Sequence, residues 1–215
     1  MLLRDILERI RDESLKKDVI RQEIQDIARR TTRLSKQAIF LVHRDRNRDA
    51  ENLLKEASIN LSKLSELSKV YPDLYYTGLV DSAFEEYAEA WIFLKIADEG
   101  KFIGPEDIGV PNESYVLGLA DVIGELRRRS LDLIRKGDVE GAENCLGIME
   151  TIYVEIISHD HLLILISGLR RKCDVARRVI EATRGDVTAE VRRSILNNAM
   201  RELQKILEKT SDKQQ

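Results

Sequence analysis

Residues 116–126 read Val-Leu-Gly-Leu-Ala-Asp-Val-Ile-Gly-Glu-Leu, and in these eleven residues Asp121 and Glu125 are the only polar side chains. Their i/i+4 spacing puts both carboxylates on one face of a helix. An ionised carboxylate is costly to remove from water unless something compensates it. A solvated helix face would carry more polar neighbours, so this pair is expected to face a wet interior cavity or a subunit interface. Gly118 and Gly124 lie in the same stretch, and each costs a helix about 1 kcal/mol relative to alanine. They point to a close helix crossing beside the acids. A second stretch of the same kind is FEEYAEAWIF, Phe84 to Phe93, where Glu86 and Glu89 stand three apart.

The rest of the chain reads as helix around these two stretches. Of 215 residues, 43% are hydrophobic and 34% charged, with 3 prolines, 11 glycines and 5% aromatics. Few breakers and abundant Leu, Ile, Ala, Glu, Arg and Lys favour long amphipathic helices over sheets. A first helix is expected from about Leu2 to Val42, with a bend or an interruption near Asp12-Glu13-Ser14. Asp49 is the expected N-cap of a second, running to about Val70. Pro72 opens a third at the position where its missing N–H is harmless. Gly100 and the segment Phe102 to Pro111 end that helix in a compact loop or short turn.

Asn112 or Ser114 caps a fourth helix that ends near Lys136-Gly137, and Asp138 opens a fifth. The junction His159-Asp160-His161 leads into a sixth, with Gly185 as its stop, and Thr188 begins the last. The expected fold class is all-α: a seven-helix antiparallel bundle with short links. It would form one domain over residues 1–209, followed by a disordered tail at 210–215, where apolar periodicity is lost.

The net charge of −3 disfavours tight, indiscriminate duplex binding, without excluding a local basic channel. Cys145 and Cys173 sit in apolar helical contexts and are expected to be buried free thiols. The longest apolar run, Leu162 to Ile166, is far too short to span a membrane. The first residues, MLLRDILERIRDE, lack an apolar core followed by a small-residue cleavage site. The expected setting is soluble and cytoplasmic.

Two acid-bearing helices packed together would gather four carboxylates, Glu86, Glu89, Asp121 and Glu125. Like charges at close range raise each other's pKa, so such a group calls for a cation. Hard oxygen ligands suit Mg²⁺, with Mn²⁺ as the alternative. A bound hard cation activates water and polarises a phosphoryl oxygen, which points to phosphodiester or phosphoanhydride hydrolysis. The plainer reading is a buried acid pair satisfied by Arg127, Arg128 or Arg171. A di-iron carboxylate bundle is disfavoured because neither pair contains Glu-x-x-His. All-α nucleoside triphosphate pyrophosphohydrolases resemble this chain in their Glu-x-x-Glu, but their second motif is Glu-x-x-Asp, whereas here it is Asp-x-x-x-Glu.

Basic clusters at Arg127-Arg128-Arg129 and Arg170-Arg171-Lys172, with Arg177 and Arg178, would track a phosphate backbone or form a solvated face. Tyr75, Tyr76, Tyr87 and Trp91 would stack bases or serve the core. His159 and His161, at a helix junction, read as capping or surface residues.

Ser114 to Leu126, followed by Asp132-Leu133-Ile134 and Lys136-Gly137-Asp138, resembles the central motif of the translin superfamily. With both acids of its ADxxGEL core present, it is closer to translin-associated factor X than to translin. FEEYAEAWIF resembles the factor X segment with glutamates three apart, and Pro72-x-x-Tyr75-Tyr76 is similar to a tract in translin. Gly168 to Val175 and Arg184-Gly185 resemble the closing helices. The resemblance runs in order from about Asp18 to Arg192.

It implies a seven-helix, all-α fold of the translin type that assembles into hollow octamers binding RNA or single-stranded DNA. It also implies a Mg²⁺-dependent endoribonuclease whose acidic residues match Glu86, Glu89, Asp121 and Glu125. As a prokaryotic homologue the chain would act alone, as a homo-octamer, without requiring a translin-like partner. Translin's basic stretches fall here on Asp49 to Lys63 and Tyr75 to Glu86, which are balanced or acidic. RNA contacts therefore do not transfer, and Arg128 and Arg171 stand as candidate RNA-binding residues. The remaining alternatives are the pyrophosphohydrolase and a non-catalytic single-stranded nucleic-acid-binding shell.

Overall fold

The computed structural model describes residues 3–71 and 78–211. Eight helices and no strand occur among them: α1 (Leu3–Val42), α2 (Asn47–Val70), α3 (Gly78–Glu99), α4 (Pro105–Ile108), α5 (Asn112–Lys136), α6 (Val139–Ser158), α7 (Asp160–Leu165) and α8 (Leu169–Ser211). The chain divides into two compact units, Met1–Val122 and Ile123–Gln215, with the division falling inside α5.

In the first unit α1 packs on α2 and α3, and α2 packs on α3. The buried row of α2, Ala50, Leu54, Ala57, Leu61 and Leu64, repeats at alternating steps of four and three. That spacing turns one stripe of the helix inward and leaves the other faces wet. α1 buries Ile24, Ala28, Leu34, Ala38, Ile39 and Val42 in the same way, yet Leu3, Leu7, Ile10 and Val19 in its first half stay exposed. α3 is buried on more than one side, through Val80, Ala83, Phe84, Tyr87, Ala88, Ala90, Ile92, Phe93, Leu94 and Ile96. A helix so enclosed has few places for charge, which makes its acids conspicuous.

In the second unit α6 and α8 pack together and α7 bridges them. α6 contributes Ala142, Cys145, Met149, Ile152 and Ile156; α8 contributes Leu169, Cys173, Ala176, Ile180 and Val187. Arg127 donates to Thr183 Oγ1 at 2.9 Å and pairs with Asp186 at 3.1 Å, tying α5 to α8. Ser130 donates to the carbonyl of Ala142, fixing α5 on α6.

The all-α expectation holds, with differences in where helices begin and end. α1 is continuous through Asp12-Glu13-Ser14, whose side chains all lie on exposed helix surface. α2 starts at Asn47, earlier than Asp49; Asp49 sits in the first turn, where its carboxylate accepts from Arg46 at 2.7 Å. An acid there suits the positive end of the helix.

The Phe102–Pro111 segment folds into the short turn of α4, entered by Pro105 and left through Gly109 at φ +67. Asp138 caps α6 by accepting from the Gly141 N–H at 2.9 Å, and Gly137 (φ +81) ends α5. Gly185 is not a stop. A glycine stop needs a left-handed backbone, but Gly185 sits within α8 on its exposed side while buried Thr183 and Val187 carry the packing past it. The expected sixth and seventh helices therefore merge, while α4 and α7 are added. α8 also runs two residues past 209; the rest of the expected tail, and the helix start at Pro72 with Tyr75 and Tyr76, lie outside the described residues.

Candidate functional site

Gly118 decides how the acid-bearing helices meet. A Cβ at this position would stand 2.7 Å from the Glu85 carbonyl oxygen, 2.9 Å from the Glu89 nitrogen and 3.0 Å from the Ala88 Cβ. The backbone of α5 thus lies directly on the backbone of α3 along Glu85–Glu89. Only a residue without a side chain permits that approach. The close crossing expected beside the acids is present at Gly118 and not at Gly124, whose Cβ would meet nothing within 4 Å. Tyr115, one turn before Gly118, donates its hydroxyl to the Ile103 carbonyl at 2.7 Å and anchors the start of α5.

This seating brings the Glu86/Glu89 segment of α3 together with the segment of α5 that carries Asp121, one turn beyond Gly118. Glu125 follows one further turn along the same helix. All four carboxylates are half-buried, in keeping with their apolar frames. Glu86 pairs with Lys36 of α1 at 3.1 Å, its own side chain only 26% exposed. Glu125 lies 4.0 Å from the exposed Arg128 guanidinium, at the outer limit of an ion pair. Glu89 and Asp121 are likewise engaged in polar or electrostatic contacts. At the start of the α3–α5 seam, burial and the nearby Glu113 carboxylate raise the pKa of Asp81.

Among the described residues, no three His, Cys, Asp or Glu side chains stand arranged to hold a metal ion. The donor set nevertheless fits a hard divalent cation in chemistry, being all carboxylate oxygen, and Gly118 sets the two acid-bearing backbones against each other. What compensates Glu86 here is the Lys36 ammonium. Composition and motif reading overlooked Lys36, because the pairing joins residues fifty positions apart in the chain.

Of the other sequence candidates, Tyr87 is 2% exposed and belongs to the core, where its ring meets Trp91 edge-on at 6.5 Å. His159 terminates α6 with its Nδ1 2.7 Å from the Glu155 carbonyl, as expected of a junction residue. Arg128 and Arg171 are exposed on α5 and α8. Both cysteines are buried and free.

An all-α chain with acid-bearing helices seated through a glycine defines a narrow class of helical proteins, and comparison places it. The Translin family model matches residues 19–183. An uncharacterized protein of Methanocaldococcus jannaschii, MJ0175, is 30% identical over 190 residues, covering 87% of this chain and 84% of that protein. Among solved structures, AfC3PO in complex with duplex RNA is 33% identical with a TM-score of 0.77, covering 88% of this chain and 98% of that one. The apo form of NeC3PO is 27% identical with a TM-score of 0.75 and the same coverage. The chain belongs to the translin family.

Proposed function

We propose that this protein is a divalent-cation-dependent endoribonuclease that binds RNA as an oligomer and cleaves single-stranded or short structured RNA in the cytoplasm. The observation that carries the reading is the Gly118 contact, which seats α5 on Glu85–Glu89 and so joins the acid-bearing segments. The similarity to AfC3PO, solved with duplex RNA, supports the RNA-binding part.

Glu86, Glu89 and Asp121 would hold Mg²⁺ or Mn²⁺, with Glu125 one turn further on α5. When bound, the cation supplies Lewis-acid polarisation of a phosphoryl oxygen and lowers the pKa of water. The protein's own contribution is to hold these carboxylates half-buried on two braced helices and to offer one glutamate as general base. Lys36 keeps Glu86 compensated and lies ready to meet substrate phosphate.

Assembly is supported by exposed apolar residues on α1 and on α8. Leu3, Leu7 and Ile10 on α1, and Leu196, Met200 and Leu203 on α8, are each about half exposed or more, at steps of three and four. Such stripes fit helix-on-helix packing between copies, in line with a homo-octamer.

The test is cleavage of labelled RNA in Mg²⁺. Asp121→Asn, with helicity and oligomer mass intact, is expected to abolish turnover while RNA binding persists. Equal rates in variant and parent overturn the nuclease reading, and EDTA-insensitive cleavage points to metal-free chemistry. A second reading, a non-catalytic RNA-binding shell, draws on the Lys36–Glu86 pair, which already neutralises one carboxylate. It predicts salt-sensitive binding with no turnover in the parent. Pyrophosphate release from free triphosphates without RNA cleavage would identify nucleotide pyrophosphohydrolysis instead.

A further inference from the structure

The residues that grip RNA can be located beyond the acids. On α1, Arg29, Arg33, Lys36 and Phe40 follow at steps of four, three and four, which aligns them in one stripe about 60° wide. All four side chains are exposed. They border an open groove of about 450 Å³ that also takes in Thr32, Gln37 and Leu79, with no acidic side chain in its lining. Three cations on one stripe in a chain of net charge −3 mark a local reversal of sign.

The competing acids are few. Arg29 is 3.6 Å from Asp26 in an exposed pair, worth little in water. Arg33 has no ion pair among the described residues. Lys36 reaches Glu86 at 3.1 Å, so the stripe runs up to that one carboxylate of α3.

Phe40 adds a second kind of contact. Its ring is 44% exposed, and the Arg44 guanidinium lies 4.3 Å from its centroid. A phenylalanine left open to solvent beside cations is poor core design and a good base platform. Bases stack on aromatic faces and on guanidinium planes alike. Paired bases inside a duplex do not offer their faces, so the platform favours an unpaired strand.

We propose that Arg29, Arg33, Lys36 and Phe40 form the track on which one unpaired RNA strand lies, its phosphates on the cations and a base on Phe40, leading to Glu86. The proposal rests on the reading of this protein as RNA-binding and does not require that it cleave RNA. It replaces neither Arg128 nor Arg171 but assigns the grip to a built groove.

The test reads binding without turnover. Fluorescence anisotropy of a short labelled oligouridylate is followed in EDTA across a salt series. R29Q/R33Q is expected to weaken binding about tenfold or more near 0.1 M salt, and to lower the log–log salt slope by about 1.4, the value for two phosphate contacts on a single strand. F40A is expected to weaken binding about tenfold with the slope unchanged, because stacking releases no counterions. K16Q/K63Q, removing the same charge outside the stripe, is expected to bind as the parent does.

If the parent binds and R29Q/R33Q matches it in affinity and slope, the track is overturned while the RNA-binding reading stands. If the parent does not bind, that reading falls and takes the track with it. If R29Q/R33Q changes the oligomer mass rather than the slope, this face is an interface between copies and the proposal is overturned.

Discussion

Replacing Gly118 by alanine adds one methyl group at the point where two helix backbones touch. The new Cβ would stand 2.7 Å from the Glu85 carbonyl oxygen and 2.9 Å from the Glu89 nitrogen. Both are backbone atoms of a helix buried on several sides, so neither swings aside as a side-chain tip would. Relief requires α3 and α5 to part by about half an ångström, in an interior packed like a crystal. Overpacking of this kind costs about 1–3 kcal/mol, and the rigidity of the two neighbours favours the upper end.

Against it stands the helix propensity of alanine, about 1 kcal/mol better than glycine. The net expectation for Gly118→Ala is a loss of about 2 kcal/mol, or a fall of roughly 4–8 °C in Tm for a chain of this size. Gly124→Ala is the internal control. It lies in the same helix with nothing within 4 Å of its Cβ, so it is expected to gain up to about 1 kcal/mol. Thermal melts followed by circular dichroism, with oligomer mass checked before heating, read both. A Gly118→Ala protein melting at or above the parent refutes the close seating, and equal losses in both variants show a general glycine effect. On the proposed endoribonuclease reading, the same variant is also expected to slow RNA cleavage, because Asp121 lies one turn beyond Gly118 and misplaced catalytic groups lose rate.

On the proposed metal-binding reading, Lys36→Met removes the cation that compensates Glu86 and is expected to tighten Mn²⁺ binding about fivefold, the scale of one charge near 4 Å in water; unchanged affinity in a paramagnetic-resonance titration would show that Lys36 does not compete with metal. Burial and Glu113 raise the pKa of Asp81 above 3.8, so its ionised form costs stability at neutral pH and that cost is relieved as pH falls through the raised value. Asp81→Asn is therefore expected to raise the urea midpoint at pH 7 and leave it unchanged near pH 3; no gain at pH 7 counts against the placement. Burial pushes the Cys145 thiol up to about 11, against the lowering effect of Arg129. Native protein at pH 8 is expected to protect Cys145 from a thiol reagent until urea is added, and rapid native labelling would contradict its burial.

The helices were legible in the sequence because periodicity is a local property. The four-and-three rows of α2 and α6 appear in the residue order before any packing is known. The endings were less legible. Gly185 reads as a stop from its neighbours, yet Thr183 and Val187 bury on one line through it, and packing outweighs a glycine's cost of about 1 kcal/mol. Tyr87 shows the same limit: its place on a helix stripe was plain, but only burial against neighbouring helices separates a core ring from a stacking platform.

By itself the sequence determined that the chain is helical, that Glu86, Glu89, Asp121 and Glu125 stand out from apolar frames, and that glycine beside such acids implies a close approach. Each follows from spacing along one helix. The tertiary structure decided which glycine makes the crossing, that Lys36 holds Glu86, and that the cations of α1 border a groove. These are contacts between segments far apart in the chain. A helix period specifies which residues share a face, but not which face of another helix it will meet.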